Sequence, residues 1–448
     1  MDSVQKRTIS KLMWRLAPFT SLLYLIALLD RVNIGYAGMQ MNKELGIGPA
    51  AFGALAAAFF VGYFFFEVPS NMILERVGSR KWIARIMVSW GIVTCLVFFA
   101  TKYWHIYVLR LLLGVMEAGI LPGLVFYFTL WFPTKQRAKV VAYLFVGSQL
   151  GMMLGSPLAG LILDNISWFG RSGWRWLFIF EGLPAIIMGI ATWLYLPDKP
   201  KDAKWLAVDE KQWLVNKLES ERALNKVEPI SIAKSFANIK VWHLAAIYFC
   251  FQIAAQTITF WMPLIIKGFS ATFTNTAVGF IGMLPPLFSI FFVIFWGTHS
   301  DKSGERKFHM IIPILVSICG FLFAAFSKNP ATRVAGMIVA QAGTVGFFAP
   351  FWSLPSVYVT GMGAAIGIAI INSCSSASGF FGNMAVGRIT AALGPNAALV
   401  FMIITSVITI GLILAMRLQD VALQADTKSQ ADANRVRLRE GQIATMQE

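Results

Sequence analysis

The chain has 448 residues, 57% of them hydrophobic and only 13% charged, against the roughly 25% charged residues of an ordinary soluble domain. That balance excludes a soluble globular protein and predicts an all-α polytopic membrane protein. The formal net charge of +16 does not argue for nucleic acid, because the basic residues fall in short loops between apolar runs, where positive-inside bias accounts for them.

In chain order, residues 1–15 carry Lys6, Arg7, Lys11 and Arg15 and read as a cytoplasmic N-terminal tail. The apolar run from Leu16 to Ala37 has no small-residue cleavage site after it, so it is kept as the first span rather than removed as a signal peptide. Runs of spanning length recur at about 49–74, 82–101, 104–131, 139–163 and 176–196. After a polar stretch they resume at about 242–266, 276–299, 308–327, 333–356, 361–387 and 397–416, which with the first makes about twelve transmembrane helices. Basic loops (Arg76, Arg80, Lys81 and Arg85; Lys135, Arg137 and Lys139; Lys302, Arg306 and Lys307) alternate with poor ones, which puts both termini in the cytoplasm. Arg171 and Arg175 run mildly against this rule. The expected organisation is a six-helix bundle at 16–196, a cytoplasmic linker at 197–240, a second six-helix bundle at 241–416 and a polar cytoplasmic tail at 417–448. Cys95, Cys250, Cys319 and Cys374 stand alone in apolar runs and suggest neither a disulfide framework nor a metal site.

Asp30 and Arg31 are the most informative residues, because they interrupt the first apolar run. A charge at the bilayer centre costs roughly 2.5–3.5 kcal/mol on insertion scales and is kept where it faces a partner or a wet cavity. A structural ion pair between helices is the alternative reading. Arg110 and Glu117, seven residues apart on span four, share a helix face about 10 Å apart along the axis. Asp30 and Arg31 point about 100° apart, so the economical arrangement sets Asp30 near Arg110 and turns Arg31 to a central cavity. There a guanidinium can take a carboxylate through two parallel hydrogen bonds. Glu67 reads as a helix-packing residue, and His105, His243, His299 and His309, near span ends, as solvated.

The second half has no acidic or basic residue in the interior of its spans until Arg388. It offers Gln252, Gln256, Trp352, Ser353 and Asn372. With Tyr63 and Gln149 of the first half, these are suited to bond substrate hydroxyls and to stack on the substrate's body, with helix packing as the alternative.

An internal repeat ties the halves together. Asn71-x-x-x-Glu75-x-x-Gly78-x-Arg80-Lys81 follows span two and Gly297-x-x-x-Asp301-x-x-Gly304-x-Arg306-Lys307 follows span eight, at identical spacing. Such matched turns imply a duplicated six-span unit, a known transporter architecture. The second copy resembles the signature loop of the major facilitator superfamily; the first departs from it at Asn71 and Glu75. More narrowly, Leu29-Asp30-Arg31-Val32-Asn33-Ile34-Gly35, Glu67-Val68-Pro69-Ser70-Asn71, Arg110 with Glu117-Ala118-Gly119 and Pro122-Gly123, and Trp174-Arg175-Trp176 resemble the anion:cation symporter family within it. The resemblance implies import of an organic anion with protons, the family's substrates including sugar acids, tartrate and phthalate-like acids. It also implies proton handling by Asp30 and Glu117.

The expectation is therefore a secondary transporter with two halves rocking about a midplane site, not an enzyme. Arg31, Tyr63, Gln149, Gln256, Trp352 and Asn372 bind substrate, and Asp30, Glu117 and Arg110 couple protons. Glu75, Gly78, Arg80, Asp301, Gly304 and Arg306 form the conformational loops. No cofactor or metal is expected beyond the coupling proton; the partners are a small carboxylate and the lipid bilayer, without nucleic acid, and the chain acts as a monomer in a bacterial inner membrane. An exporter of the same fold, coupled to protons, is the alternative, and a transporter-like sensor a weaker one.

Overall fold

A computed structural model describes residues 3–224, 238–354 and 362–416; part of the linker, residues 355–361 and the polar tail at 417–448 lie outside the described residues. The first half comprises α1 (Ser3–Glu44), α2 (Pro49–Val77), α3 (Ser79–Leu96), α4 (Tyr103–Glu117), α5 (Ile120–Trp131), α6 (Thr134–Asn165) and α7 (Gly173–Tyr195), followed by the linker helix α8 (Val208–Leu224). The second comprises α9 (Ile239–Lys267), α10 (Asn275–Ser303), α11 (Lys307–Phe326), α12 (Pro330–Gly346), α13 (Phe348–Trp352), α14 (Met362–Leu393) and α15 (Pro395–Leu414). Counting α4 with α5 and α12 with α13, 11 helices among the described residues are long and apolar enough to cross a membrane. The 32-residue α14 supplies the remaining span. A helical bundle follows from the solvent, since in hydrocarbon each backbone polar group must be satisfied within its own segment.

In the sequence Gly114, Gly119 and Gly123 with Pro122 interrupt span four, and the helix does part there. Helix α4 stops at Glu117, and Gly119 turns at φ 93 before α5 begins. That left-handed conformation is open to glycine with little strain. Ser70 Oγ donates to the freed Ala118 carbonyl at 2.6 Å and itself accepts from Trp82 Nε1 at 3.0 Å. The segment Glu67–Asn71 thus brings a hydroxyl to the break.

Within the first half α1 lies on α6 through Gly147, Gly151 and Gly155, whose missing side chains make room for Ser21, Leu25 and Leu29. Between the halves, three pairs come to backbone contact. A Cβ on Gly35 would stand 2.4 Å from the Phe260 carbonyl, one on Gly53 2.5 Å from the Asn383 carbonyl and one on Gly160 2.5 Å from the Asn275 carbonyl. Small residues permit such approach, which is how helices associate where lipid removes the hydrophobic drive. Gly35, Gly53 and Gly160 all lie toward the end of the bundle farthest from Ser3, here the far end; the opposite one is the terminal end. Asp164 adds a bond at the far end, accepting from Asn275 Nδ2 at 2.7 Å and Thr276 N at 2.6 Å.

The basic stretch expected as a tail is, from Ser3, the first turns of α1. Two of its charges are held by the linker helix: Glu210 Oε1 accepts from Arg7 Nε at 2.7 Å, and Lys11 Nζ lies 2.9 Å from the same carboxylate. Burial opposes ionisation of Glu210, but hydrogen bonds from Lys11, the Ala207 amide and Arg7 outweigh it and hold the carboxyl below its usual range. Trp205 stacks on Trp131 with ring centroids 5.9 Å apart, so the linker is fastened to the first half.

Candidate functional site

Five ionisable side chains meet within the first half. Arg31 Nε donates to Glu117 Oε1 at 2.8 Å, with Glu117 wholly buried and the Arg31 side chain 21% exposed. The Arg31 guanidinium also lies over the rings of Tyr63, at 5.2 Å, and Phe59, at 5.5 Å. Asp30 Oδ1 accepts from Thr94 Oγ1 at 2.9 Å and Asn33 Nδ2 at 3.0 Å, while its Oδ2 has no partner among the described residues. Arg110 is buried, with all three guanidinium nitrogens unpartnered among the described residues. Its charge sits 5.3 Å from the Phe59 centroid and 5.9 Å from that of Phe260, the latter from the second half. Aromatic faces attract a cation, but they leave its N–H groups aimed at nothing.

The pairing differs from expectation. Asp30 feels the Arg110 charge yet bonds to Thr94 and Asn33, and Arg31 is held by Glu117 rather than lying open. The reason is the 100° between neighbours on a helix: with Asp30 turned to α3, Arg31 points to the end of α4, where Glu117 stands at the break. The fifth group, Glu181 on α7, was not singled out from sequence. It faces Asp30 and Asn33, and its buried Oε2 has no hydrogen-bond partner among the described residues. The signal was there, because an acid between Phe180 and Gly182 interrupts an apolar run as Asp30 does.

The expected substrate ligands fall on two walls. Tyr63 borders Arg31, and Glu67 follows one turn later on α2, close enough to sense the Arg31 charge. Gln149, its Oε1 unpartnered among the described residues, shares a face of α6 with Met152 and Ser156. Those two residues line a small cavity between the halves with Tyr36, Gly282 and Gln341. On the second half, Gln252 Nε2 donates to Ser375 Oγ at 2.6 Å and to Tyr248 Oη at 3.2 Å, and Gln256 Nε2 reaches the same Ser375 at 3.4 Å. Trp352 meets Tyr248 edge-on at 5.2 Å, and Asn372 is exposed three residues before Ser375. Ser375 was missed by sequence reasoning; a serine in a run of small residues carries little signal.

The two signature loops lock differently. In the first, Gly78 turns at φ 100 and Asp198, just past α7, accepts from Arg80 N at 2.9 Å and pairs with Arg80 Nε at 3.4 Å, while Glu75 is exposed. In the second, Gly304 turns at φ 69 and Arg306 Nη1 donates to Asp301 Oδ1 at 2.9 Å within the loop itself. Glu305 then accepts from the Phe308 amide at 2.8 Å. Burial opposes its ionisation, but that amide and the His309 ring hold it low.

All four histidines expected to be solvated are bonded, and one of them, His309, is buried; His105, which accepts from Thr101 N at 3.3 Å, bonds at an exposed site. His309, 6% exposed, bonds Glu305 Oε2 through Nδ1 at 2.9 Å and His299 through Nε2 at 2.8 Å, and His243 Nε2 sits 2.8 Å from the Leu412 carbonyl. Arg175, which counted against the charge rule, is sequestered: it pairs with Glu44 at 3.0 Å and donates to the Phe98 carbonyl at 2.9 Å.

The family model described as the Major Facilitator Superfamily matches residues 20–382. The chain belongs to that superfamily. Among relatives of this major facilitator protein, a candidate tartrate transporter of Agrobacterium vitis is 41% identical over 388 residues, 87% of this chain and 89% of the relative. A candidate metabolite transport protein, NicT, of Pseudomonas putida is 38% identical over 89% of this chain and 91% of its own length. A quinolone resistance transporter of Acinetobacter baumannii is 34% identical over 92% and 94%. The fold matches a bacterial homologue of the lysosomal transporter Spinster, with TM-score 0.75 at 14% identity over 92% of this chain and 98% of that one. It also matches a D-xylose–proton symporter, with TM-score 0.73 at 14% identity over 90% and 97%. The protein is a multi-pass membrane transporter of the major facilitator fold.

Proposed function

We propose that this transporter imports a small organic anion, of the class of hydroxy-dicarboxylates, sugar acids or aromatic carboxylates, together with protons. The observation that carries the reading is the buried Arg31–Glu117 pair beside an Arg110 with unpartnered nitrogens. Two guanidiniums facing one region make it a place for an anion, since each forks to a carboxylate. A proton arriving at Glu117 would cancel its charge, and the Arg31 fork would then turn to the substrate carboxylate. Coupling follows, because a proton and an anion enter together into a site that neither fits alone. Tyr63 and Gln149 on one side and Gln256, Trp352 and Asn372 on the other are suited to the substrate's body. The relatives named for tartrate transport support a carboxylate cargo.

The glycine contacts hold the two halves together at the far end, so in this reading the substrate would reach Arg31 from the terminal end. We assign that end to the cytoplasm, with both termini there and the bacterial inner membrane as the site, and the protein acts as a monomer without a cofactor. The relative named for quinolone resistance keeps proton-driven export of the same fold as the second reading.

The test is uptake of a panel of labelled carboxylates by proteoliposomes, with and without an inward proton gradient, in wild type, Arg31→Ala and Glu117→Gln. Accumulation of one acid that needs the gradient, is lost in Arg31→Ala and loses its proton drive in Glu117→Gln is the expected result. Normal transport by Arg31→Ala, or no accumulation of any carboxylate, would overturn it.

A further inference from the structure

Glu181, half-buried but with its Oε2 wholly enclosed, is an acid that the Arg31–Glu117 exchange does not use. Its surroundings come chiefly from α1 and α3, which pack on α7 beside α6. From α1 come Asp30 and Asn33. From α3 come Thr94, bonded to Asp30 at 2.9 Å, and Cys95, whose sulfur abuts Gly182 next to Glu181 in the chain. From α4 the charges of Arg110 and Glu117 reach Asp30. On α7 itself, Arg175 is committed to Glu44.

Two observations bear on what Glu181 does. The first is a count of charge. Among the described residues this cluster holds three carboxyls, Asp30, Glu117 and Glu181, against two guanidiniums, Arg31 and Arg110, with Glu67 a fourth acid at its edge near Arg31. Glu117 is matched by Arg31 and Asp30 lies in the field of Arg110, which leaves Glu181 without a cation. An unmatched buried charge is expensive, and a carboxyl so placed takes a proton instead. The second is a count of hydrogen bonds. Asn33 spends its Nδ2 on Asp30 Oδ1 at 3.0 Å, while Asn33 Oδ1 and Glu181 Oε2 are both buried acceptors without a donor. A proton on Glu181 Oε2 would turn that donorless acceptor into a donor, and Asn33, which neighbours Glu181 as well as Asp30, carries in Oδ1 an acceptor still without a donor among the described residues.

We propose that Glu181 holds a proton and is linked through Asn33 to Asp30, forming a second proton site of the transport cycle beside Glu117. The step is the making and breaking of one O–H bond, with the proton taken from and returned to water. The amide of Asn33 bonds Asp30 and also neighbours Glu181, which makes it the link between the two acids. The inference rests on the symport reading for its role in transport, though not for the proton itself.

Two measurements test it, one without any substrate. Infrared spectra at neutral pH are expected to show the carbonyl stretch of a protonated carboxylic acid that shifts in deuterium oxide and is lost in Glu181→Gln. The same band, unchanged in Glu181→Gln, would overturn the assignment. In proteoliposomes, with L-tartrate and the other acids of the panel as probes, Glu181→Gln is expected to keep exchange across the membrane without a gradient but to lose gradient-driven accumulation. Glu181→Asp is expected to recover part of it. Full gradient-driven accumulation by Glu181→Gln would remove Glu181 from the cycle. If the wild type accumulates no carboxylate at all, the symport reading fails, and the infrared band still decides whether Glu181 carries the proton.

Discussion

The two halves share a helix count and a turn motif but divide the chemistry unequally. The first encloses Asp30, Arg31, Arg110, Glu117 and Glu181, while facing positions of the second carry Gln252, Gln256, Ser375 and Trp352, and its Arg388 is exposed on α14. Every buried ion costs several kcal/mol of desolvation, so charges are cheapest when they share one enclosure and meet each other's fields. Neutral amides and hydroxyls satisfy one another at far lower cost. A duplicated fold can thus specialise, one half for charge and the other for shape and hydrogen bonding.

The same divergence appears in the loops. The first copy borrows its acid, Asp198, from the end of α7, whereas the second uses its own Asp301. The first loop is thereby tied to the last span of its half, and the second is self-contained.

These contrasts can be broken by substitution. The largest effect is expected at Arg31→Ala, which strands Glu117 without a partner; removing one member of a buried pair costs about 3–5 kcal/mol, read as lower thermal stability in detergent together with lost uptake. Adding Glu117→Ala should restore stability without restoring uptake. In the neutral half, Gln256→Ala should cost only about 1 kcal/mol of substrate binding, a several-fold rise in apparent KM. Its proton dependence should stay wild type, and a changed pH profile would erase the division between the halves.

Smaller still is the loop contrast. Asp198→Asn should free the first loop from α7, lowering turnover a few-fold and raising cleavage by protease at that loop. Asp301→Asn, whose pair is largely exposed, should change stability by well under about 1 kcal/mol. Equal effects of the two would show that the loops lock alike. The least effect at neutral pH comes from the linker. Because Glu210 is held low when α8 is docked, its contribution is present above the unfolded carboxyl value of about 4.3 and is lost as pH falls through the folded one. Hydrogen exchange of α8 should therefore rise on acidification, and Glu210→Gln should show the raised exchange already at neutral pH.

Much of this was legible in the sequence because the relevant physics is local. Apolar runs announce spans by length, and Asp30, Arg31, Arg110 and Glu117 announce themselves by their cost in such runs. What sequence could not supply was pairing. Whether Arg31 meets Glu117 or stands open depends on how α1 is rotated against α4, which no spacing records, and the partner of Arg80 lies 118 residues away. Glu181 was missed for a different reason: a lone acid without a basic neighbour draws less notice than an Asp–Arg doublet, though the energetic argument is the same. The interruption of span four was legible as Gly114, Gly119, Pro122 and Gly123, though not that Gly119 is the residue that turns.

That break makes span four a pair of levers with Glu117 at the fulcrum. The carboxylate sits on the last residue of α4, Gly119 swivels two residues on, and the Ser70 hydroxyl bears on the joint from α2. A tilt of α5 at the terminal end would be transmitted to the residue that grips Arg31, while α4, anchored by Gly114 against Phe59, stayed in place. Leverage of that kind converts the swing of one rod into the loosening of a single ion pair.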